Sequence, residues 1–313
     1  MPPSFRTVNY SLRPAKQIER RMLAEALLRL TEFGSLTSYR YVGLGGIHFK
    51  DFVVFHRLLG ISNMVSIEKE ALARSRFEFN QPFACVKIEF ESTSKVLPKL
   101  AWDIRTILWL DFDERLTASA LSDISVFCAR ASSGSVLIVS VQAQDEHDNV
   151  DPLAALIESI GPERVPNGTK RSDFTAWGTA TLFRRIVINE IASRLHARNA
   201  GRAAGTRFVF RQIFNFQYRD GARMLTVGGI LHDEGQAPNV AKCGFESLDF
   251  VRTSDEPYRI EVPVLTPREL RDLDRLLPGI TPGQIQEHPV PNGDIEKYAS
   301  IYRFFPTFAE VEP

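Results

Sequence analysis

The chain has 313 residues, of which 44% are hydrophobic and 24% charged, the balance of a folded globular protein and not of a disordered one. Its 38 basic and 38 acidic side chains cancel, so no global field draws it to nucleic acid or to an anionic membrane, and any basic surface is local. Three widely separated cysteines, Cys85, Cys128 and Cys243, show neither Cys-x-x-Cys nor His-rich spacing, which argues against a zinc site and for a reducing, cytoplasmic setting.

Met1 to Arg13 lacks the apolar centre of a signal peptide, and no run is long enough to cross a bilayer, so the expectation is a soluble protein with no membrane partner. From Ala15 to Leu30, Ile18, Met22, Leu23, Ala26, Leu27 and Leu30 recur at helical spacing. The other side of that helix carries Arg13, Lys16, Arg20, Arg21 and Arg29, which reads as a solvated face or as one that meets a phosphate or a substrate. Strand-like runs follow at Tyr39–Leu44, Asn63–Ile67, Cys85–Phe90, Thr106–Leu110 and Ser135–Val141. They alternate with helical segments at Phe49–Leu59, Ala71–Phe79, Ser94–Leu100 and Leu116–Ala131. Such alternation predicts an α/β protein with a parallel sheet covered on both faces.

The pattern then changes. A long helix over Thr179–Asn199 leads to two β-rich segments, Thr206–Tyr218 and Arg223–His232, joined by Arg219-Asp220-Gly221-Ala222. Asp-Gly between such segments signals a hairpin, so the last two strands of the expected seven are antiparallel neighbours. Asp233 to Asp255 reads as irregular, Glu261–Leu265 as a short strand, and Thr266 with Glu269 as a capping box, with Pro278 after the helix. The aromatic run Tyr298–Phe308 reads as a segment packed on the sheet or on a second copy, so a homodimer is one expectation. The resulting division is an N-terminal helical segment (1–38), a nucleotide-type domain (39–235) and a C-terminal extension (236–313).

The most informative stretch is Tyr41-Val42-Gly43-Leu44-Gly45-Gly46-Ile47-His48, with Glu68 at the end of the next strand. Gly43, Gly45 and Gly46 let the chain turn sharply and approach a ligand, and the first amides of the following helix lack intrahelical partners. Glu68 stands about 20 residues on, where such folds place an acid that accepts from ribose hydroxyls. The plainer alternative is a tight strand-to-helix turn beside a solvated acid. A Gly-x-Gly-x-x-Gly dinucleotide fingerprint wants a small residue where His48 stands, which argues against NAD.

On these residues the chain resembles the class I S-adenosylmethionine-dependent methyltransferases, especially bacterial O-methyltransferase-like proteins. The glycine turn matches their loop, Ile67-Glu68 their ribose acid, Leu108-Trp109-Leu110-Asp111-Phe112-Asp113 the acidic end of their fourth strand, and the terminal hairpin their last strands. The resemblance spans roughly Tyr39 to His232 and implies a Rossmann-like fold, S-adenosylmethionine as cofactor and direct displacement onto an oxygen or nitrogen acceptor. The family usually has an acid where Tyr41 stands. The methionyl amino group is then expected to be held from elsewhere, with Asp111 the candidate.

The expected cofactor contacts are Tyr41, Gly43, Gly45, Gly46, Glu68, Glu91, Ser92 and Asp111, and the expected catalytic groups are Asp111, Asp113 and His48. Asp111 and Asp113, two apart on an extended strand, face the same way, so a general base, an ammonium site or a divalent cation are the roles open to them. His48 is either a base near the reaction centre or a ligand for loop backbone. The acceptor is unidentified. Arg184, Arg185, Arg194, His196, Arg198, Arg202, Arg207 and Arg211 gather positive charge late in the chain, which keeps nucleic acid open as a partner. A non-catalytic cofactor sensor with this fold is the other alternative.

Overall fold

A computed structural model describes residues 13–144, 150–285 and 288–306. The leader reading before Arg13 and the end of the aromatic run, Thr307 and Phe308, fall outside these residues. The sheet has eight strands in the order β3-β2-β1-β4-β5-β7-β6-β8. They are β1 Arg40–Gly43, β2 Asn63–Ile67, β3 Val86–Glu89, β4 Thr106–Asp111, β5 Ser135–Gln142, β6 Phe208–Asp220, β7 Ala222–Asp233 and β8 Tyr258–Ile260. The first five pair in parallel, whereas β7 lies antiparallel between β5 and β6. This is the expected Rossmann-like sheet and hairpin, turned at Gly221 with φ +88°. An eighth strand, parallel to β6, goes beyond the expected seven; it lies at Tyr258–Ile260, just before the Glu261–Leu265 run that reads as extended.

Helices cover both faces. On one side α1 Pro14–Leu28, α2 Lys50–Leu59 and α3 Arg74–Phe79 bury Met22, Phe52 and Phe77 in one apolar cluster. On the other, α5 Ala118–Arg130, α6 Pro152–Ile160 and α7 Gly178–Asn199 bury Phe127, Leu156 and Phe183, with α4 Thr93–Val96 a single turn after β3. The central strands are buried almost throughout, β1 and β5 included, as a sheet covered on both faces requires. Thr117 caps α5 by accepting from Ala120 N–H, and Gly60 ends α2 in the left-handed region.

The C-terminal part adds α8 Ala237–Lys242, α9 Pro267–Leu276 and α10 Asn292–Ile301. The Thr266–Glu269 capping box forms in both directions. Leu273, Ile285, Val290, Ile295 and Tyr298 make a small separate core, while Ile301 and Phe304 join the cluster around α1. Arg21 donates to the Phe304 and Phe305 carbonyls at 3.2 and 2.7 Å, so the aromatic tail is fixed against α1.

The basic side of helix α1 is solvated only in part: Arg21 is exposed, whereas Lys16 and Arg20 are buried together with Glu19. Its N-cap, Arg13, makes no side-chain cap; instead Asp220, at the hairpin turn, accepts from the N–H groups of Ala15 and Lys16 at 3.3 and 2.8 Å. A carboxylate there satisfies two orphan donors and sits at the positive end of the helix.

Below this cap Lys16 Nζ contacts Glu19 Oε2 at 2.7 Å and Asp111 Oδ1 at 2.6 Å, donates to Tyr218 Oη at 3.1 Å, and lies 4.5 Å from the centre of the Trp109 ring. The donor direction around Glu19 is fixed, because an ionised carboxylate only accepts: Thr226 spends its one O–H on Glu19, so Ser140 must donate to Thr226. Trp109 Nε1 donates to Ser140 Oγ at 3.0 Å, Ser140 in turn to Thr226 Oγ1 at 2.7 Å, and Thr226 to Glu19 Oε1. Tyr218 donates to Glu19 Oε2 at 3.2 Å. Four strands, β4 to β7, thus converge on one helix.

Replacing Lys16 with Met leaves Glu19 buried beside hydroxyls alone, a loss on the order of 3–5 kcal/mol for a broken buried pair. Denaturant midpoints are expected to show this loss for Lys16→Met and to show most of it recovered in the double variant Lys16→Met/Glu19→Met. A double variant no more stable than the single one would refute the pairing.

Candidate functional site

The carboxyl ends of β1, β2 and β4 form one edge, and the glycine turn leaves β1 there. Its glycines are not equivalent. A Cβ at Gly43 would strike the Tyr41 hydroxyl, and one at Gly45 would sit 2.5 Å from Ser66 Oγ and 2.9 Å from the Phe52 ring. Both positions are thus filled by the protein's own atoms. Gly46 alone, at φ +53°, has nothing within 4 Å of a Cβ and borders open space. Phe49, which starts α2, also takes a positive φ of 46°, an uncommon conformation for a large side chain.

Glu68 is buried behind this turn. Ser66 donates to its Oε1 at 3.1 Å, and the backbone amides of Gly46 and Gly45 stand near enough to favour its charged form. Burial nevertheless pushes its pKa up to about 7 against those groups. A carboxylate has about four acceptor sites, so with Ser66 on one of them Glu68 keeps acceptor capacity for a ligand hydroxyl.

Tyr41 is fully buried, with its ring edge-on to Phe52 and Phe55 at 4.9 Å each. Its hydroxyl donates to Asp51 Oδ2 on the first turn of α2. A carboxylate, that of Asp51, thus stands beside the position where the methyltransferase pattern has its acid. A Cβ at Gly43 would lie 3.1 Å from that same Asp51 oxygen. Burial raises the Asp51 pKa to about 6, opposed by Arg20 and by the Tyr41 hydroxyl; burial and Asp51 raise that of Tyr41. Sequence reasoning missed Asp51. The one signal was an acid in the first turn of the helix after a glycine loop, which normally reads as a dipole partner.

Asp111 ends β4 next to the turn, but its carboxylate is paired with Lys16, not open to a ligand ammonium on that oxygen. Burial disfavours the Lys16 charge, yet Asp111 and then Glu19 outweigh it, and the pKa is raised. Asp113 is exposed just past the strand end. Asp111, Asp220 and Asp113 all act on the Arg13 guanidinium, so the shared face expected of Asp111 and Asp113 meets cations from α1. Among the described residues no three His, Cys, Asp or Glu side chains come together as a metal site would need.

The other expected residues lie around this centre. His48 is exposed, and its partial burial, then Lys50 and Arg76, lower its pKa, so the imidazole is neutral at pH 7. Glu91 forms an ion pair with Lys95 at 2.9 Å, and Ser92 starts α4 with its Oγ 2.8 Å from that of Ser94. Of the late basic residues, Arg184 is buried against Gln212 and Asp255, Arg194 pairs with Glu190, Arg198 stacks 3.5 Å from the centre of Phe208, and Arg211 pairs with Glu246. Arg184 and Arg198 thus hold α7 to its surroundings, Arg194 pairs within that helix, and Arg211 ties β6 to Glu246. No helix of the described residues is long and apolar enough to cross a membrane.

Because the folded state raises the Glu68 pKa from 4.5 to about 7, it binds a proton more readily than the unfolded chain. Its contribution to stability is full below pH 4.5 and is lost as pH rises to 7, by about 1.4 kcal/mol for each pH unit crossed between those two values. Glu68→Gln abolishes this titration. Its thermal midpoint relative to the wild type is expected to climb by several degrees between pH 5 and pH 8, and a constant difference would contradict the raised pKa.

No curated relative matches the sequence. Among solved structures, it is similar to the S-adenosylmethionine-dependent methyltransferase SibL, with 11% identity over 68% of this chain and a TM-score of 0.36, but spans 55% of that protein. It is also similar to the N-methyltransferase NodS from Bradyrhizobium japonicum WM9, at 11% identity over 67% of this chain and 86% of the other, with a TM-score of 0.36. Trm1 from Pyrococcus horikoshii shares 12% identity over 77% of this chain and 65% of its own, with a TM-score of 0.43. A family model described as "Putative O-methyltransferase" matches residues 8–313. With that match spanning the sheet, the turn and the C-terminal part together, the chain belongs to this O-methyltransferase family.

Proposed function

We propose that the protein transfers a methyl group from S-adenosylmethionine to an oxygen acceptor. The observation that carries this reading is the turn at Gly46, open to a ligand, with the Glu68 carboxylate buried behind it at the edge of β1 and β2. The residues present fit an adenosyl ligand: Glu68, which accepts from Ser66, keeps acceptor capacity for a ribose hydroxyl, and Gly46 leaves room for the chain to be approached. When bound, the cofactor supplies an electrophilic methyl on a sulfonium, so no covalent nucleophile is needed from the protein.

The protein's task is then to position, to exclude water and to take a proton. Lys16 and the Trp109 ring, both buried, close the floor at β4 beneath Asp111. Asp111, committed to Lys16, is a positioning group. Removal of the acceptor's proton is assigned to Asp113, exposed where β4 leaves the sheet. His48 sits instead among the cations Lys50 and Arg76 beyond the turn.

Titration calorimetry with S-adenosylmethionine and S-adenosylhomocysteine is expected to give binding, and Gly46→Val, which forces a β-branched residue to positive φ in the open space, is expected to lose at least about tenfold in affinity. No heat at high micromolar ligand would sink the reading. With an acceptor in hand, Asp113→Asn is expected to lower kcat about 10²-fold or more with cofactor affinity unchanged, and His48→Gln to stay near the wild type. The opposite pattern would move the base to His48.

A further inference from the structure

Three basic residues of α1 and its cap stand in this region, and two have carboxylate partners: Lys16 pairs with Glu19 and Asp111, and Arg13 with Asp220 at 4.0 Å. Arg20, one turn beyond Lys16, does not. It is only 5% exposed, and its Nε and Nη1 have no hydrogen-bond partner. An unpaired guanidinium in that position is costly, because burial strips its hydration and nothing replaces it. Buried charges without a protein partner are retained where a ligand supplies one.

The surroundings say which ligand. Arg20 acts on Tyr41 and on Asp51 without an ion pair to the Asp51 carboxylate. The Asp51 oxygen that accepts from Tyr41 borders Gly43, at the root of the glycine turn. A guanidinium and a carboxylate are therefore held close at the end of β1, kept from joining, next to the turn proposed to take the adenosyl group. That is the charge pattern of an α-amino acid, whose carboxylate and ammonium leave one carbon. S-adenosylmethionine has one anionic group, its α-carboxylate.

Resting on the methyl-donor reading above, we propose that Arg20 is the receptor for the α-carboxylate of the cofactor's methionyl group, with Asp51 facing the α-ammonium. The guanidinium fork suits a carboxylate in two parallel hydrogen bonds, which an ammonium cannot reproduce. The specificity of the site for an amino-acid-bearing nucleoside then comes from α1, outside the strand-turn-helix unit that marks the cofactor site in the sequence.

The test compares two ligands by calorimetry on the full chain. S-adenosylhomocysteine carries the amino-acid group, and 5′-methylthioadenosine lacks it. Arg20→Met is expected to weaken S-adenosylhomocysteine binding by about 10²-fold, in the range of a lost charge-assisted pair, and to leave 5′-methylthioadenosine unchanged. Its thermal midpoint without ligand is expected to equal or exceed that of the wild type, since an unpaired buried charge is gone. Should Arg20→Met not fold, Arg20→Lys, which keeps the charge and loses the fork, is expected to show the same selective loss at smaller size.

Equal weakening of both ligands would overturn the proposal, as would S-adenosylhomocysteine affinity at the wild-type level. A variant that keeps cofactor affinity but raises KM for a carboxylate-bearing acceptor would place the acceptor there and overturn it too. Wild-type protein that binds neither ligand would overturn the methyl-donor reading itself, a result separable from selective failure at Arg20.

Discussion

A single ammonium ties this molecule together. Lys16 lies at the meeting point of α1, β4 and β6, between two carboxylates and over an indole ring, closed off from solvent. Desolvation of that charge is offset by Asp111 and then by Glu19, which is itself held by two hydroxyl donors, one of them ordered by a chain that starts at Trp109. Such a buried network favours one arrangement over near alternatives, since a shift of α1 by a turn would strand several charges at once. The position of α1 is thereby fixed to within a hydrogen bond, and with it the position of Arg20.

The second constraint is at the glycine turn. Glu68 accepts from Ser66 and lies beside the turn's own amides, while the packing around Gly43 and Gly45 shapes the loop. Two of the three glycines serve that shape, packing against Tyr41 and Ser66, and only Gly46 serves access. Tyr41 in place of an acid is not a loss of charge from the site. The residue orients Asp51, and the ring packs into the aromatic cluster of α2.

Much of the fold is legible in the sequence because its signals are local. Alternating apolar runs mark β1 to β5, Asp220-Gly221 marks the hairpin, and Thr266 with Glu269 marks the start of α9. The charged side of α1 misleads for the opposite reason. A helix bearing Lys16, Glu19 and Arg20 looks solvated until partners some 200 residues away, Tyr218, Asp220 and Thr226, are brought to it. Asp51 is hidden in the same way, since its role depends on where the Tyr41 hydroxyl points. The edge strand β8 is displaced by a few residues from its expected place because three residues carry little periodicity, and its position is set by pairing with Phe216 to Tyr218.

The cap that Asp220 places on α1 has a consequence for biosynthesis. The glycine turn and its acid lie within the first 70 residues, and β1 to β5 are complete by Gln142. During synthesis from the N-terminus this half of the sheet can begin to form early. Helix α1, although made first, has neither its cap nor Tyr218 and Thr226 until the hairpin follows. The nascent chain therefore acquires its glycine turn and Glu68 well before α1 receives its cap, and a truncated chain ending before residue 220 holds that helix by its apolar packing alone.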